Sequence, residues 1–276
     1  MQGSILIDGE ASERIPVSDR GLQYGDGLFE TIAVVDSTPR FWQRHMARLA
    51  RGEATLGFPP SDKAQLQTEA ERLCGGCSQG VLKIIITRGS GGRGYRPPEK
   101  PQPRRILSLN PWPDYPDNWY QNGIRLRLCE TRWSRNRRLA GVKHLNRLEQ
   151  VLARHEWQDP LITEGVMLDD EGRVISATQG NLFLYHAGTL VTPDLSQSGI
   201  AGVMRQIVIE AAEELAMPVR IGELQFEEVL EAEALFVTNA LLGLCPVGAL
   251  DGRTYAPDRR PHSLIEAVAG VLRAGA

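Results

Sequence analysis

Two hydrophobic periods alternate along the chain and mark out its elements. Short runs of strand type occur at Ser4 to Ile7, Leu28 to Val35, Val81 to Thr87 and Arg104 to Leu109. Val81-Leu82-Lys83-Ile84-Ile85-Ile86-Thr87 is the strongest of them, since branched side chains suit a pleated surface, and Arg104 to Leu109 is its natural partner. Helical spacing of 3 and 4 governs Arg44 to Leu56, where Met46, Leu49 and Ala50 share a face, and also Ala64 to Leu73. Strand patterns return at Ile124 to Leu128, Glu164 to Asp169, Arg173 to Ala177, Asn181 to His186 and Thr189 to Val191. Asp170-Glu171-Gly172 and Ala187-Gly188 read as hairpin turns between them. Gly202 to Leu215 reads as a helix and Ala234 to Thr238 as a buried strand.

The alternation is irregular, which predicts an α+β fold rather than a repeating βαβ one. Asn110-Pro111-Trp112-Pro113-Asp114-Tyr115-Pro116 stops regular structure, because proline cannot donate to a ladder. The expected organisation is therefore a smaller N-terminal α/β domain over 1–112, a linker over 113–120 and a larger C-terminal domain over 121–276. A chain of 276 residues can bury a sizeable core in either arrangement.

Charge narrows the partners. With 31 basic and 34 acidic residues the net charge is −3, which gives no electrostatic reason to expect nucleic acid or an anionic membrane. No apolar run approaches the ~20 residues of a membrane span, and Met1 to Asp8 lacks a basic n-region and a long apolar stretch, so a cytoplasmic protein is expected. Cys74-Gly75-Gly76-Cys77 has the spacing of a redox pair or half a zinc site. Cys129 and Cys245 do not complete a second pair, so the Gly-Gly reads as a helix stop and no metal is expected.

The most informative residue is Lys143, in Gly141-Val142-Lys143-His144-Leu145-Asn146-Arg147-Leu148-Glu149-Gln150. It follows a short non-helical lead-in and precedes helical spacing at Leu145, Leu148, Val151 and Leu152. Two readings follow from position. One is a solvated lysine at a helix start. The other is a lysine fixed before a packed helix, partly buried and made nucleophilic.

Resemblance favours the second. This stretch is similar to the Schiff-base lysine region of the fold type IV pyridoxal-phosphate enzymes, a family that includes branched-chain and D-amino-acid aminotransferases and aminodeoxychorismate lyases. Ser18 to Thr31 (Ser-Asp-Arg-Gly-Leu-Gln-Tyr-Gly-Asp-Gly-Leu-Phe-Glu-Thr) resembles the family's N-terminal signature. His45-Met46-Ala47-Arg48-Leu49 resembles the helix carrying its phosphate-binding arginine. Asn181-Leu182-Phe183 and Gly202-Val203-Met204-Arg205 resemble landmarks of its cofactor-binding domain. Within the family, Arg88 to Tyr95 and Lys143 to Leu152 most resemble the aminodeoxychorismate lyases.

The resemblance implies a two-domain fold whose larger domain has a β-barrel-like core. It also implies pyridoxal 5'-phosphate as cofactor, sites between the domains and a homodimer. It makes Lys143 the catalytic amine and Arg48 a phosphate ligand. The amides of Val203 and Met204, at a helix start whose dipole favours anions, are further phosphate ligands. Asn239-Ala240-Leu241 aligns with the family's other phosphate turn. Relatives often offer a hydroxyl where Ala240 stands, which leaves the backbone and Asn239.

Arg88 and Arg93 flank a glycine-rich loop and are candidates for substrate carboxylates, though such a loop also reads as a mobile hairpin tip; Tyr24 and Thr31 match signature positions that face the site in relatives, and both also read as core residues. One position departs from the family: a glutamate usually stands five residues before the Asn-Leu-Phe landmark, against the pyridine nitrogen, and here it is Ser176. A serine cannot form an ion pair with a pyridinium. The expected activity is a lyase acting on aminodeoxychorismate in the folate pathway. The alternatives are a D-amino-acid or branched-chain aminotransferase and a non-catalytic homologue that binds the cofactor.

Overall fold

A computed structural model describes residues 5–275; Ser4, the expected first residue of the opening strand, lies outside them. The chain forms two compact units. One holds the residues through Pro113 together with Val142–Asn146. The other holds Asp114–Gly141 and the chain from Arg147 onward. Val142–Asn146 fall within the expected region 121–276, but their backbone pairs with the first unit.

The first unit runs β1 (Ile5–Ile7), β2 (Glu10–Ala11), α1 (Arg20–Tyr24), β3 (Gly27–Val35), β4 (Thr38–Pro39), α2 (Trp42–Leu56), α3 (Lys63–Cys74), β5 (Gln79–Thr87) and β6 (Arg104–Pro111). Its sheet has the order β2-β1-β6-β5-β3-β4. The expected pairing of β5 with β6 is antiparallel, with Ile84 opposite Leu107. Leu28, Glu30, Ile32 and Val34 share the parity of β3 that faces inward. Three of these join Met46, Leu49, Leu66, Leu82, Ile84 and Leu107 in the core, and Glu30 is the polar exception. Cys74 ends α3 and Gly75-Gly76 turns the chain, with Gly76 at φ +78°.

The second unit runs α4 (Asn118–Asn122), β7 (Ile124–Leu128), α5 (Leu148–His155), β8 (Glu164–Leu168), β9 (Val174–Ala177), β10 (Asn181–His186), β11 (Thr189–Pro193), α6 (Val203–Glu214), β12 (Val219–Gly222), α7 (Phe226–Glu231), β13 (Ala234–Asn239), β14 (Gly243–Leu250), β15 (Arg253–Thr254) and α8 (His262–Ala274). Its sheet, in the order β12-β11-β10-β13-β14-β7-β8-β9 with β15 on β14, curls into a half-barrel. Both expected hairpins form. The β10–β11 turn places Ala187 at φ +46° and Gly188 at +79°, the two left-handed residues that match the twist of the flanking strands. Val166, Leu182, Val237, Val247 and Leu250 fill the core.

Helix α5 departs from the expected pattern. Leu148, Val151 and Leu152 are 76%, 50% and 60% exposed. Helical spacing of apolar residues is present, but none of the described residues covers that face.

Candidate active site

What fixes Lys143 is a strand edge rather than a packed helix. The Phe29 amide donates to Lys143 O at 3.0 Å, the Leu145 amide donates to Gly27 O at 3.0 Å, and Leu28 bridges His144 antiparallel. Asn146 Nδ2 donates to Gly25 O at 3.1 Å, and a side chain at Gly25 would place its Cβ 2.6 Å from Asn146 Oδ1. Residues 143 to 146 are thus strapped to the start of β3. The half-buried Lys143 projects Nζ to 4.1 Å from the centroid of the Phe29 ring. That contact restricts the rotamers of a side chain that is otherwise among the most flexible.

On the inward face of β3, Glu30 accepts from Arg48 Nε at 2.9 Å, from Arg48 Nη2 at shorter range, and from His45 Nδ1 at 2.7 Å. All three groups are buried. Burial alone would raise the Glu30 carboxyl, but the charge and hydrogen bonds of Arg48, with the His45 contact, outweigh it and hold the carboxyl at about 2. Burial lowers His45, and the cations of Arg48 and Lys143 add to this, while Glu30 opposes them. The direction that follows is a neutral His45 donating Nδ1–H to a Glu30 carboxylate. Arg48 therefore carries its charge in a fixed orientation.

Arg88 was expected at a substrate carboxylate. It is instead 5% exposed, with Nε on Asp26 Oδ2 at 2.7 Å, Nη1 on Gly57 O at 3.1 Å and Nη2 on Leu56 O at 2.8 Å. Its guanidinium lies 4.2 Å over the Phe58 ring. It ties the end of β5 to the end of α2, a structural use that removes it from the ligand candidates. Arg93, five residues on, is exposed in the loop. Tyr24 is held beside that loop: its hydroxyl accepts from the Gly94 amide at 3.2 Å and its ring meets Tyr95 edge-on at 5.5 Å. Thr31 is half-buried and pairs in register with Lys83.

In the second unit the expected residues mostly answer to their own neighbours. Gly202 caps α6 with no side-chain acceptor, so the amides of Val203 and Met204 open the helix without intrahelical partners. A Cβ at Gly202 would overlap Asn181 Oδ1, and Asn181 Nδ2 donates to Ile200 O at 2.9 Å. Arg205 turns away to Thr192 Oγ1 and Pro193 O. Asn239 Oδ1 accepts from the amides of Leu241 and Leu242 at 2.9 and 2.7 Å, which commits its oxygen to the turn and leaves Ala240 to offer backbone only. Ser176 Oγ accepts from Trp133 Nε1 at 2.9 Å and donates to Ala177 O at 2.8 Å. Two positions on, Thr178 donates to Glu164, whose carboxyl burial pushes up although Thr178 and backbone amides oppose the shift.

Glu30, His45 and Trp133 hold the candidate residues in place without belonging to the candidate set. Glu30 had a signal: an acid at the inward parity of an apolar strand. His45, three residues before Arg48 on a helix whose apolar face is buried, had a weaker one. Trp133 had none, since its contact with Ser176 spans 43 residues.

The profile described as amino-transferase class IV matches residues 27–250. An aminodeoxychorismate lyase from Vibrio harveyi is 35% identical over 245 residues, which is 88% of this chain and 90% of that one. The crystal structure of 4-amino-4-deoxychorismate lyase from Pseudomonas aeruginosa superposes with a TM-score of 0.91 at 45% identity, covering 98% of each chain. A T.th. branched-chain amino acid aminotransferase, solved with pyridoxamine 5'-phosphate, superposes at 0.84 with 21% identity over 99% of this chain and 93% of that one. At that identity it speaks for the fold.

Proposed function

We propose, for a chain that belongs to the amino-transferase class IV family, a lyase activity: 4-amino-4-deoxychorismate is converted to 4-aminobenzoate and pyruvate. The observation that carries this reading is the 45% identity, over 98% of both chains, to a structure bearing that lyase name. The cofactor required is pyridoxal 5'-phosphate, the oxidised counterpart of the ligand in the aminotransferase structure.

Each unit taken by itself has donors that suit such a group: the first an oriented amine at Lys143 and an oriented guanidinium at Arg48, the second a helix start at Val203 and Met204 where a glycine keeps the backbone accessible. In the first unit Lys143 Nζ would hold the aldehyde carbon and Arg48 would meet a phosphate; in the second, the amides of Val203, Met204 and Ala240 are suited to the same anion. Once bound, the cofactor withdraws electrons from the carbon bearing the substrate amine.

The substrate's amine would displace Lys143 from the aldehyde carbon, and the freed Nζ would take the proton from the ring carbon that bears that amine. The bond from the neighbouring carbon to the enolpyruvyl oxygen then breaks, and the six-membered ring becomes aromatic. The same Nζ, now protonated, delivers its proton to the methylene carbon of the departing enolpyruvate, which leaves as pyruvate. One nitrogen acting first as base and then as acid needs no second titrating group. Arg93 meets a substrate carboxylate from its loop, with Tyr24 and Thr31 on the approach.

The bare α5 face of Leu148, Val151 and Leu152 supports a homodimer, since contiguous apolar surface of this kind marks an interface. Light scattering should report a dimer, and Val151→Glu should shift it to monomer. Among the described residues no helix is long and apolar enough to cross a membrane. The cysteines at 74, 77, 129 and 245 are free thiols, in keeping with action in the cytoplasm. The function itself is tested by supplying purified holoprotein with enzymatically generated aminodeoxychorismate. Release of 4-aminobenzoate with equimolar pyruvate is expected. Conversion of the cofactor to its pyridoxamine form by an amino acid, with no 4-aminobenzoate, would make the protein an aminotransferase.

A further inference from the structure

Arg20 opens α1 and is 3% exposed, yet it makes no ordinary surface ion pair. Its Nε donates to Asp26 Oδ2 at 2.8 Å, the carboxylate that Arg88 also holds. Its other nitrogens reach some seventy residues along the chain to three consecutive carbonyls: Nη1 to Gly94 O at 3.1 Å and Arg96 O at 3.5 Å, and Nη2 to Tyr95 O at 3.0 Å. The guanidinium lies 4.8 Å over the Tyr24 ring, whose hydroxyl accepts from the Gly94 amide. Gly94 is thus bound through both its N–H and its C=O.

Upstream, the Arg20 amide donates to Gly89 O and the Gly91 amide donates to Ser18 O. The aliphatic stem of Arg20 lies where a side chain at Gly91 would come within 2.9 Å of its Cδ. Carbonyls of an exposed loop ordinarily bond to water and leave the loop free to sample many shapes. Here one buried cation gathers three of them.

We propose that Arg20 is a positioning residue that holds residues 94–96 in one shape, so that Arg93 is presented to the substrate anion. This rests on the assignment of Arg93 to a substrate carboxylate and names the device that gives Arg93 a fixed place. Only a planar fork with five donors can serve Asp26 and three carbonyls together, and a lysine has neither the reach nor the geometry.

Trypsin gives a readout independent of substrate. Between Gly89 and Gln102 the sequence offers trypsin one bond, Arg93–Gly94, because Arg96 and Lys100 each precede a proline. In the native holoprotein, Arg20→Lys should speed cleavage there by roughly tenfold or more, since it frees several charge-assisted contacts. The KM for aminodeoxychorismate should rise by a similar factor, with kcat within about threefold, as for lost uniform binding. Gly91→Ala, which displaces the Arg20 stem without removing its charge, should move both quantities the same way to a lesser degree. It keeps the test open should Arg20→Lys unfold.

Cleavage and KM both unchanged in the two variants would overturn the proposal. Faster cleavage with an unchanged KM, while Arg93→Gln raises KM, would also overturn it, because a loosened loop would still present Arg93. If Arg93→Gln leaves KM unaltered as well, the assignment of Arg93 itself fails, and the proposal with it.

Discussion

At the lysine end of the first unit the groups proposed to act are side-chain tips, and each is aimed by something else. The edge of β3 and Phe29 aim Lys143, Glu30 aims Arg48, and the loop that carries Arg93 is gathered by Arg20. In the second unit the polar side chains named from the sequence turn back on their own surroundings. Asn239 caps its turn, Ser176 joins Trp133 to Ala177 O, and Arg205 binds Thr192 and Pro193. What that unit offers a ligand is backbone N–H at the start of α6. Side-chain tips are lost by truncation, whereas backbone donors are lost only when something intrudes on them. The two regions should therefore fail in different ways.

The largest effect is expected at Lys143. Lys143→Ala removes the proposed nucleophile and proton carrier at once, and turnover should fall by roughly 10⁴-fold or more. Borohydride reduction of the holoprotein and peptide mapping should place the cofactor on Lys143. Label on Lys83, whose Nζ lies 5.8 Å from the same Phe29 ring, would transfer the role across the sheet.

Arg48→Ala comes next. It removes the proposed charge-assisted phosphate contact, worth about 1.5–3 kcal/mol, so cofactor affinity should drop and excess cofactor should restore much of the activity. It also strands Glu30, and breaking a buried pair costs about 3–5 kcal/mol, so the melting temperature should fall as well. Pairing it with Glu30→Gln should recover stability without recovering affinity, which separates the two roles of Arg48.

The same cluster sets a pH dependence. The Glu30 carboxyl is held at about 2 in the fold against its ordinary 4.5, so its stabilising contribution is present above 4.5 and lost as pH falls from there towards 2. His45 is lowered from 6.5, so the unfolded chain takes up its proton first, and stability also declines as pH falls below 6.5. Both act on the acid side, and denaturant titrations of Glu30→Gln should show a flatter acid limb than the parent.

How much of this the sequence discloses differs between the two regions for the same reason. Strands β3 and β5 and the turn at Ala187-Gly188 are local patterns, and their apolar parity predicts the fold closely. The second unit's β14 carries Pro246 and two glycines, and α8 trails a loop without a clear start signal, so neither stands out as an element. Lys143 and Arg48 are visible through resemblance, but what orients them is not. The strap from Gly25 to Asn146 and the reach of Arg20 to residues 94–96 join positions about 120 and 75 residues apart. Arg88 and Arg93 look equivalent in sequence, and only the acceptors around each distinguish a buried tie from an exposed hand. On α5 the period is right and the apolar face stays exposed among the described residues, because amphipathic spacing marks a face without saying what covers it.

Gly202→Ala tests the backbone side of the comparison. The added Cβ overlaps Asn181 Oδ1, and such overpacking costs about 1–3 kcal/mol. The start of α6 must shift, so cofactor affinity should weaken even though no functional side chain has been touched. Met204→Leu, which leaves the amide in place, should bind as the parent does. Equal losses in both would mean that side-chain packing rather than the amides matters at this helix start.

The smallest effect on turnover is expected at Ser176. Its single proton goes to Ala177 O and one lone pair to Trp133, so the hydroxyl has only acceptor capacity left. It can therefore meet the cofactor ring nitrogen only when that nitrogen itself carries a proton, and then as a weak neutral partner. Ser176→Ala should leave the absorbance band of the bound cofactor and its pH dependence unchanged, with turnover within about threefold, since no ionic contact is lost. Stability should still fall by about 1–3 kcal/mol, because the Trp133 indole N–H would be left buried without an acceptor. Trp133→Phe in the same background should recover part of that loss by removing the donor. A shifted band in Ser176→Ala would instead show that the hydroxyl swings from Ala177 O to the ring when the cofactor binds, and Ser176 would then join Lys143 among the side-chain tips.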